Sequence, residues 1–315
     1  MKSRRYPIMK EPSAVRIDVD GVLRARVPGV YRYMPRFLIR KIEKLIRQDE
    51  LNRLLEANSG KEGAEFCRGV LQTLDVELHV RHGERMPQAS DSRVVFVCNH
   101  PLGGLDGMAL IDMVSRYYGG RQVWFVVNDL LMAVKPLESV FLPINKHGRQ
   151  SRGSSERMEE TFAGDDPIII FPAGLCSRYR RVNLDGEEHK MVCDLGWRKS
   201  FVNRCIKYHR DVVPLYFSGE NSRDFYRKAN LRKRLGIKLN VEMVLLPREM
   251  IDAGGKRFTV TVGRRHDWRT LRGGSEAQAT ADAFFREVYS LRLEKGEAET
   301  LPPVADEASG ATTNK

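Results

Sequence analysis

The chain has 315 residues, of which 42% are hydrophobic, so it can form one large domain with a full core. It carries 53 lysines and arginines against 41 acidic residues, a net charge of +12, which favours phosphate groups, nucleic acid or an acidic membrane surface as partners. The five cysteines contain no CxxC pair, which argues against a disulfide framework or a zinc site and fits a reducing cytosol. No run approaches the ~20 apolar residues that span a bilayer, so we expect a soluble protein or one attached to a membrane from one side.

The N-terminal part of the chain contains a basic amphipathic pattern. Residues 1–29 mix charges with prolines and are predicted to be an extended lead-in. In 31–48 (YRYMPRFLIRKIEKLIRQ) apolar residues recur at intervals of three and four, with cations at the other positions, which predicts a helix. Such a helix either lies in a membrane interface, with its cations against lipid phosphates, or packs on the protein's own core.

The stretch 94–112 (VVFVCNHPLGGLDGMALID) joins a strand pattern to polar residues. Its first five residues are apolar and predict a buried strand, and His100 stands just beyond the end of that strand. Gly103 and Gly104 allow a tight turn before an amphipathic helical pattern that has Asp106 in its first turn. We therefore expect His100 and Asp106 to face each other across this turn.

Apolar runs and helical patterns alternate along the rest of the chain. This alternation predicts an α/β fold with a central, mostly parallel sheet flanked by helices and preceded by the amphipathic helical extension. The predicted strands are 76–80, 94–98, 122–128, 141–145, 167–171, 212–217, 241–247 and 258–263, with a hairpin at 180–192. The predicted helices are 62–74, 130–140, a helix ending near 162, 197–209 and 276–294. Three parts follow: an extension at 1–60, an α/β domain at 61–294, and a tail at 295–315 whose composition predicts disorder.

Four of the apolar runs end in a loop with a histidine, a cation or glycine. In order, they read NHPLGGLD, FLPINKHGRQSR, IIIFPAGLCSR and VVPLYFSG. The carboxyl ends of parallel strands lie along one edge of a sheet, and sites in α/β folds are assembled at that edge. We expect the four loops to line one crevice.

These segments, within 94–219, resemble the four motifs of the glycerolipid and lysophospholipid acyltransferase superfamily. Members of that superfamily transfer a fatty acyl group from acyl-CoA or acyl carrier protein to a lipid hydroxyl. The family's NHxxxxD motif is similar to the segment from Asn99 to Asp106, which has one extra residue between its histidine and its aspartate. The run NHPLGGLDG is itself similar to a bacterial subgroup.

The other three motifs are also matched, and the third departs from the family's pattern in two ways. The second motif resembles PINK, with Lys146 at the position of the family's arginine, and the third, FPEGxRS, resembles FPAGLCSR with a longer spacing before Arg178 and with Ala173 in place of the glutamate. The fourth is similar to the run that holds Val213, Pro214 and Gly219.

The resemblance implies a role for each site residue, and the chemistry requires the same residue types. His100 takes the proton from the acceptor hydroxyl as general base, and Asp106 fixes its tautomer. Four cations supply charge for the phosphate or carboxylate of the acceptor, namely Lys146, Arg149, Arg152 and Arg178. Backbone N–H groups near Gly103, Gly104 or Gly174 stabilise the oxyanion.

The implied substrates are acyl-CoA or acyl carrier protein as donor and a lysolipid as acceptor, either lysophosphatidic acid or a lyso-aminolipid. The resemblance further implies no covalent enzyme intermediate, no cofactor, no metal, and attachment to anionic lipids at the inner face of the membrane.

Each site residue also has a structural interpretation. His100 could be a strand-end histidine bonded to backbone, and Asp106 a carboxylate that stabilises a helix terminus.

Two other functions use the same features. An acyl hydrolase or thioesterase would use His100 and Asp106 to activate water. A nucleic-acid binder would use the basic stretch 223–238, where Phe225 and Tyr226 could stack on bases, although no recognisable motif accompanies it and no nucleic-acid partner is expected.

Overall fold

The fold is described from a computed structural model, which describes residues 16–26, 28–128, 134–144, 152–184, 186–236 and 240–300. The helices there are α1 (Val19–Arg26), α2 (Pro28–Tyr31), α3 (Arg36–Ile46), α4 (Gln48–Ala57), α5 (Gly63–Thr73), α6 (Leu105–Tyr117), α7 (Arg152–Ala163), α8 (Ser200–Lys207), α9 (Arg223–Arg234), α10 (Leu246–Ile251) and α11 (Ala277–Ser290). The strands are β1 (Glu77–Arg81), β2 (Val94–Cys98), β3 (Trp124–Asn128), β4 (Phe141–Ile144), β5 (Ile168–Ile170), β6 (Arg178–Leu184), β7 (Glu187–Cys193), β8 (Asp211–Phe217), β9 (Arg257–Val262) and β10 (Ala298–Thr300).

Eight strands form one sheet in the order β10-β1-β9-β8-β2-β5-β3-β4. Neighbours are parallel except for the pairs β1–β10 and β8–β9, which confirms the predicted α/β fold with a mostly parallel sheet. Strand β2 lies between β8 and β5, so the loops that leave these three strands meet at one edge. Strands β6 and β7 form the predicted hairpin apart from this sheet.

Helices cover both faces of the sheet. Because side chains alternate along a strand, Val94 and Phe96 of β2 point into one apolar core and Val95 and Val97 into another. The first core is closed by α5 and α6, and the second by α7, α8 and α11. Burial on both faces explains why β2 is apolar at every position. Within the described ranges, no helix is long and apolar enough to cross a bilayer.

The guanidinium of Arg210, just before β8, is fully buried and holds the end of α7. It donates to backbone carbonyls at 2.6 to 3.5 Å, those of Thr161, Phe162, Gly164, Asp166 and Val94. The last carbonyls of a helix have no hydrogen-bond donor within the helix, and the guanidinium of Arg210 donates to several of them. Burial lowers the pKa of Arg210 to about 10, so the group stays protonated at neutral pH.

Replacing Arg210 by methionine should lower the free energy of unfolding by about 3–5 kcal/mol, because buried carbonyls lose their donor. Urea denaturation measures this change. The control is Arg181→Met in β6, where the side chain is 71% exposed and the expected change is below about 0.5 kcal/mol. Equal losses in the two variants would contradict the role given to Arg210.

The first helices lie where an extended lead-in was expected. The segment predicted at 1–29 contains α1 and the start of α2 within its described residues. The hydroxyl of Tyr31 donates to Asp20 over 2.9 Å and so holds the two short helices together. Val19 is buried against Leu51 of α4, which supplies the apolar contact that a lone eight-residue helix lacks.

The segment 241–247, predicted as a strand, is helical. It forms a 3-10 helix at Val241–Leu245 that runs into α10. Pro247 occupies the first turn of α10, where its missing N–H costs no hydrogen bond. Of the helix expected at 130–140, residues 129–133 lie outside the described part and Lys135–Leu137 forms one 3-10 turn.

The sheet also extends into the predicted tail. Strand β10 pairs antiparallel with β1 and so occupies the edge of the sheet, although its segment has the composition of a disordered tail. The backbone hydrogen bonds offered by an exposed edge strand explain this pairing. Residues 301–315 lie outside the described part.

Candidate active site

The turn between β2 and α6 brings the His100 ring and the Asp106 carboxylate together. Nδ1 of His100 lies 2.9 Å from Oδ2 of Asp106. A carboxylate only accepts, so Nδ1 carries the hydrogen and Nε2 of the neutral ring is the free base. The ring of Phe171 stacks on the face of the His100 ring, with the two centroids 4.1 Å apart. Gly103 has φ +80, a conformation that glycine adopts without strain, and it absorbs the extra residue of the motif.

Asp106 is fully buried and accepts backbone N–H groups as well as the histidine. These donors are Leu102 (2.9 Å), Gly103 (3.3 Å), Gly104 (3.0 Å) and Gly107 (2.9 Å). Burial alone would raise the pKa of Asp106, but the charge and hydrogen bond of His100 and the backbone donors lower it below its ordinary value. The carboxylate is therefore ionised at neutral pH, as the orienting role requires.

The backbone N–H groups expected to stabilise an oxyanion have partners inside the protein. Those of Gly103 and Gly104 donate to Asp106, and that of Gly174 donates to the carbonyl of Phe171 over 2.9 Å. The amides of Gly103 and Gly104 thereby build the turn that holds the carboxylate. An oxyanion site at these three amides stays a prediction, in which the oxyanion would have to compete with Asp106 and with the carbonyl of Phe171 for their hydrogen bonds.

The loops after β2, β5 and β8 are tied together by hydrogen bonds. The amide of Asn99 donates to the carbonyl of Phe217 (2.9 Å) and accepts its N–H (2.7 Å), which explains why a side chain with both functions follows β2. The N–H of Ser177 donates to the carbonyl of His100 over 2.7 Å. Three of the four predicted loops therefore meet at one edge of the sheet.

Asp194, after β7, is a buried carboxylate next to His100 that the sequence did not indicate. It accepts the backbone N–H of His100 (3.1 Å), the Ser177 hydroxyl (2.5 Å) and Nε1 of Trp197 (2.9 Å). Its own N–H donates to the Tyr289 hydroxyl over 2.7 Å. Burial raises the pKa of Asp194 although these donors favour the charged form. No spacing pattern marks this residue, because its partners come from four separate segments.

Replacing Asp194 by asparagine should destabilise the protein by about 1–3 kcal/mol. The reason is that the N–H₂ group of the amide would face N–H and O–H donors that now bond to the carboxylate. The turnover number should also fall, since the His100 backbone and the Ser177 loop share this anchor. Thermal unfolding and steady-state kinetics measure the two effects. Asp165→Asn, whose side chain is 64% exposed, is the matched control, and unchanged turnover in Asp194→Asn would refute the anchoring role.

The predicted anion-binding cations are described only in part. Lys146 and Arg149 lie outside the described residues, and of Arg152 only the backbone, at the start of α7, is described. Arg178 donates to the carbonyl of Cys176 (2.7 Å) and forms an ion pair with the buried Glu242 (2.8 Å). An acceptor anion would have to compete with Glu242 for this guanidinium.

Burial argues against a catalytic thiolate at Cys176 and against base stacking by Phe225 and Tyr226. The Cys176 thiol is fully buried, and burial raises its pKa, so it is not a reactive thiolate. Phe225 and Tyr226 are 0% and 6% exposed, so neither ring can stack on a nucleic-acid base from the surface. Among the described residues, no cluster of three histidine, cysteine or acidic side chains could hold a metal ion.

An apolar cleft of about 70 Å³ lies beside the pair. Phe171 separates it from His100, since its ring both stacks on the histidine and lines the cleft. Apolar side chains form the other walls, including Val127, Met158, Phe162, Ile170 and Phe201. Arg198 and Arg204 also line it, so the cleft combines an apolar interior with cations.

Comparison with known proteins identifies the family. A family model described as acyltransferase matches residues 21–292, which include most of α1, the helices after it and every strand of the main sheet except β10. The lyso-glycine lipid O-acyltransferase of Phocaeicola vulgatus is 42% identical over 263 residues, 84% of this chain and 90% of the relative. The protein of the same name from Bacteroides thetaiotaomicron is 40% identical over 263 residues, 84% of this chain and 93% of the relative.

One solved structure shows a more distant likeness. The crystal structure of the 1-acyl-sn-glycerophosphate (LPA) acyltransferase PlsC from Thermotoga maritima is 13% identical, with a TM-score of 0.41, over 83% of this chain and 95% of that one. The family model and the two curated relatives are sufficient without it: the chain belongs to the acyltransferase family.

Proposed function

We propose that the protein is a lysolipid O-acyltransferase that transfers a fatty acyl group from a thioester donor to the hydroxyl of a lyso-glycine lipid. The contact between His100 and Asp106 carries the proposal, because it supplies an oriented base at the edge of the sheet where the motif loops meet. The two relatives at 42% and 40% identity support the choice of acceptor.

The proposed reaction is a direct transfer. Nε2 of His100 takes the proton of the acceptor hydroxyl while the hydroxyl oxygen attacks the thioester carbon. The carbon–sulfur bond then breaks, and the imidazolium returns the proton to the leaving sulfur, which gives a free thiol and an ester. Asp106 holds the hydrogen of Nδ1 and stabilises the imidazolium between these steps.

The Arg178–Glu242 pair supports an acceptor with a single carboxylate. A phosphate dianion binds best to several cations without a carboxylate partner, whereas Glu242 pairs with both Arg178 and Arg232, and these three groups together leave one positive charge. A glycine carboxylate carries one negative charge and therefore needs fewer cations than a phosphate dianion. This argues for a glycine lipid over lysophosphatidic acid, the other acceptor that the motifs imply.

The donor is proposed to bind with its anionic carrier near the cleft behind Phe171. Arg198 and Arg204 line this cleft and suit the negative charge of the carrier. Both acyl-CoA and acyl carrier protein are anionic, so both are candidate donors. Because the acceptor is a lipid, we place the reaction at the inner face of the membrane.

The test supplies acyl-CoA or acyl carrier protein with a lyso-glycine lipid, with lysophosphatidic acid or with no acceptor, and measures thiol release and lipid products by mass spectrometry. The proposal predicts an acylated glycine lipid and thiol release that depends on that acceptor. Preferred acylation of lysophosphatidic acid would overturn the acceptor assignment. Thiol release at the same rate without acceptor would instead establish the hydrolase alternative.

A further inference from the structure

Two helices near the catalytic turn expose apolar side chains. Within the described ranges, eleven large apolar side chains are exposed. Six of them belong to or adjoin α3, α9 and the 3-10 helix between α9 and α10. Such a concentration of exposed apolar side chains is typical of an interaction surface. They are Tyr33 (74%), Phe37 (70%), Leu38 (37%), Leu231 (55%), Leu235 (65%) and Val244 (50%).

The two helices share one small core beneath these side chains. Phe225 and Tyr226 on the inner side of α9 pack with Leu245, and Leu45 of α3 packs against the same cluster. Leu231 and Leu235 are exposed while Ala229, two residues before Leu231, is buried, so α9 has an inner and an outer side. The 3-10 helix Val241–Leu245 packs against both α3 and α9, so the exposed side chains of the two helices lie around one small core.

Exposed cations flank these apolar side chains. On α3 they are Arg36, Arg40, Lys41 and Lys44, and on α9 they are Arg227, Lys233 and Arg234. The combination matches a bilayer surface with anionic lipids, where apolar side chains enter the acyl region and cations bind the phosphates. A nucleic acid would match the cations and leave the apolar side chains exposed to water.

The same core leads directly to the catalytic turn. Cys176, in the shared cluster, donates to the carbonyl of Pro101 over 3.3 Å. Leu246 of α10 packs against the cluster and also lies over Gly103, where an added Cβ would be 2.7 Å from its side chain. Through Cys176 and Leu246, the core beneath α3 and α9 therefore contacts the turn that holds His100.

We propose that α9, through Leu231 and Leu235, joins α3 in one docking surface for an anionic membrane, and that this surface holds the catalytic turn at the bilayer. The inference rests on the proposed lysolipid acceptor, because such a substrate resides in the membrane. It assigns a function to a helix whose basic composition suggested nucleic-acid binding, and it extends membrane contact beyond the N-terminal helix.

The test is co-sedimentation of the full chain with vesicles of phosphatidylcholine alone and of equal parts phosphatidylcholine and phosphatidylglycerol. The double variant Leu231→Ser, Leu235→Ser should bind the mixed vesicles about 10-fold more weakly than the wild type, because neither position then buries a leucine side chain in the acyl region. The matched control is Leu293→Ser, which removes a leucine that is 64% exposed outside this surface. Equal binding of wild type and double variant overturns the inference, as does equal weakening in the control.

Activity separates this inference from the proposed function. The wild type is assayed with acceptor in mixed vesicles and in detergent micelles, and the ratio of the two rates is compared with that of the double variant. The inference predicts a lower vesicle-to-micelle ratio in the variant, and an unchanged ratio contradicts it. Failure of the wild type in both assays would reject the proposed acceptor, whereas the sedimentation result stands by itself.

Discussion

His100→Ala is expected to lower the turnover number for acyl transfer by about 10³-fold or more, near the upper part of the range for loss of a general base. Nε2 of His100 is the nitrogen left free by the hydrogen bond to Asp106, so its removal leaves the acceptor hydroxyl without an oriented proton acceptor. Steady-state transfer kinetics measure the loss, and circular dichroism checks that the variant is folded.

His189→Ala is the matched control for this variant. His189 is a half-buried histidine of the β6–β7 hairpin, in β7. Its replacement should leave turnover within about twofold, because a surface substitution away from the site changes little. Transfer by folded His100→Ala at the rate of the control would show that another group takes the proton.

Asp106→Asn should reduce turnover by about 10²–10⁴-fold, since removing the orienting carboxylate of such a pair leaves the wrong tautomer. The amide has one acceptor oxygen where the carboxylate offers two, and its N–H₂ group opposes either Nδ1 of His100 or the N–H groups of the turn. Turnover is measured under conditions where thermal unfolding shows the variant to be folded.

Asp112→Asn is the control for the loss of a buried carboxylate from the same helix. Asp112 is 1% exposed and pairs with Arg68 and Arg116, away from the histidine. Its replacement should destabilise the protein with a much smaller effect on the turnover of the folded fraction. If the two variants lose turnover equally, the loss reflects destabilisation of α6 rather than the orientation of His100.

The lowered pKa of Asp106 also predicts a pH dependence of stability. A carboxyl whose pKa is lowered in the folded state stabilises the protein above its unfolded pKa of about 3.9, and this contribution is lost as the pH falls through the folded value. The difference in unfolding free energy between wild type and Asp106→Asn should therefore shrink as the pH falls below about 4. A difference that is constant with pH would show that Asp106 contributes nothing through ionisation.

Local patterns were sufficient for the strands and turns that build the site. The strand before His100 is buried on both faces and is therefore apolar at every position, and the same holds for most of the neighbouring strand β8. Parallel pairing of β8, β2 and β5 follows from the alternation of strands with helices, and it places their loops at one edge. The Gly103–Gly104 turn was readable because a glycine pair allows a tight turn, and Gly103 does adopt a positive φ.

Contacts between distant segments were not readable. Asp194 and Glu242 are buried carboxylates that act on His100 and Arg178, yet their partners lie 94 and 64 residues away in the chain. The use of the Gly103 and Gly104 amides by Asp106 was also missed, because a glycine pair suits an oxyanion site and a carboxylate-binding turn equally well. At 241–247, burial of Glu242 and the proline of α10 overrode the apolar strand pattern.

Rapid-quench kinetics with a radiolabelled acyl donor test the direct transfer by His100 most directly. Wild type and His100→Ala are mixed with donor in the presence and absence of lyso-glycine lipid, and label is counted in the protein and in the lipid. The account predicts that label passes from the donor to the lipid with none retained by acid-quenched protein, and that His100→Ala slows this passage by about 10³-fold. Label bound to the protein before it reaches the lipid, or unslowed transfer by the variant, would contradict it.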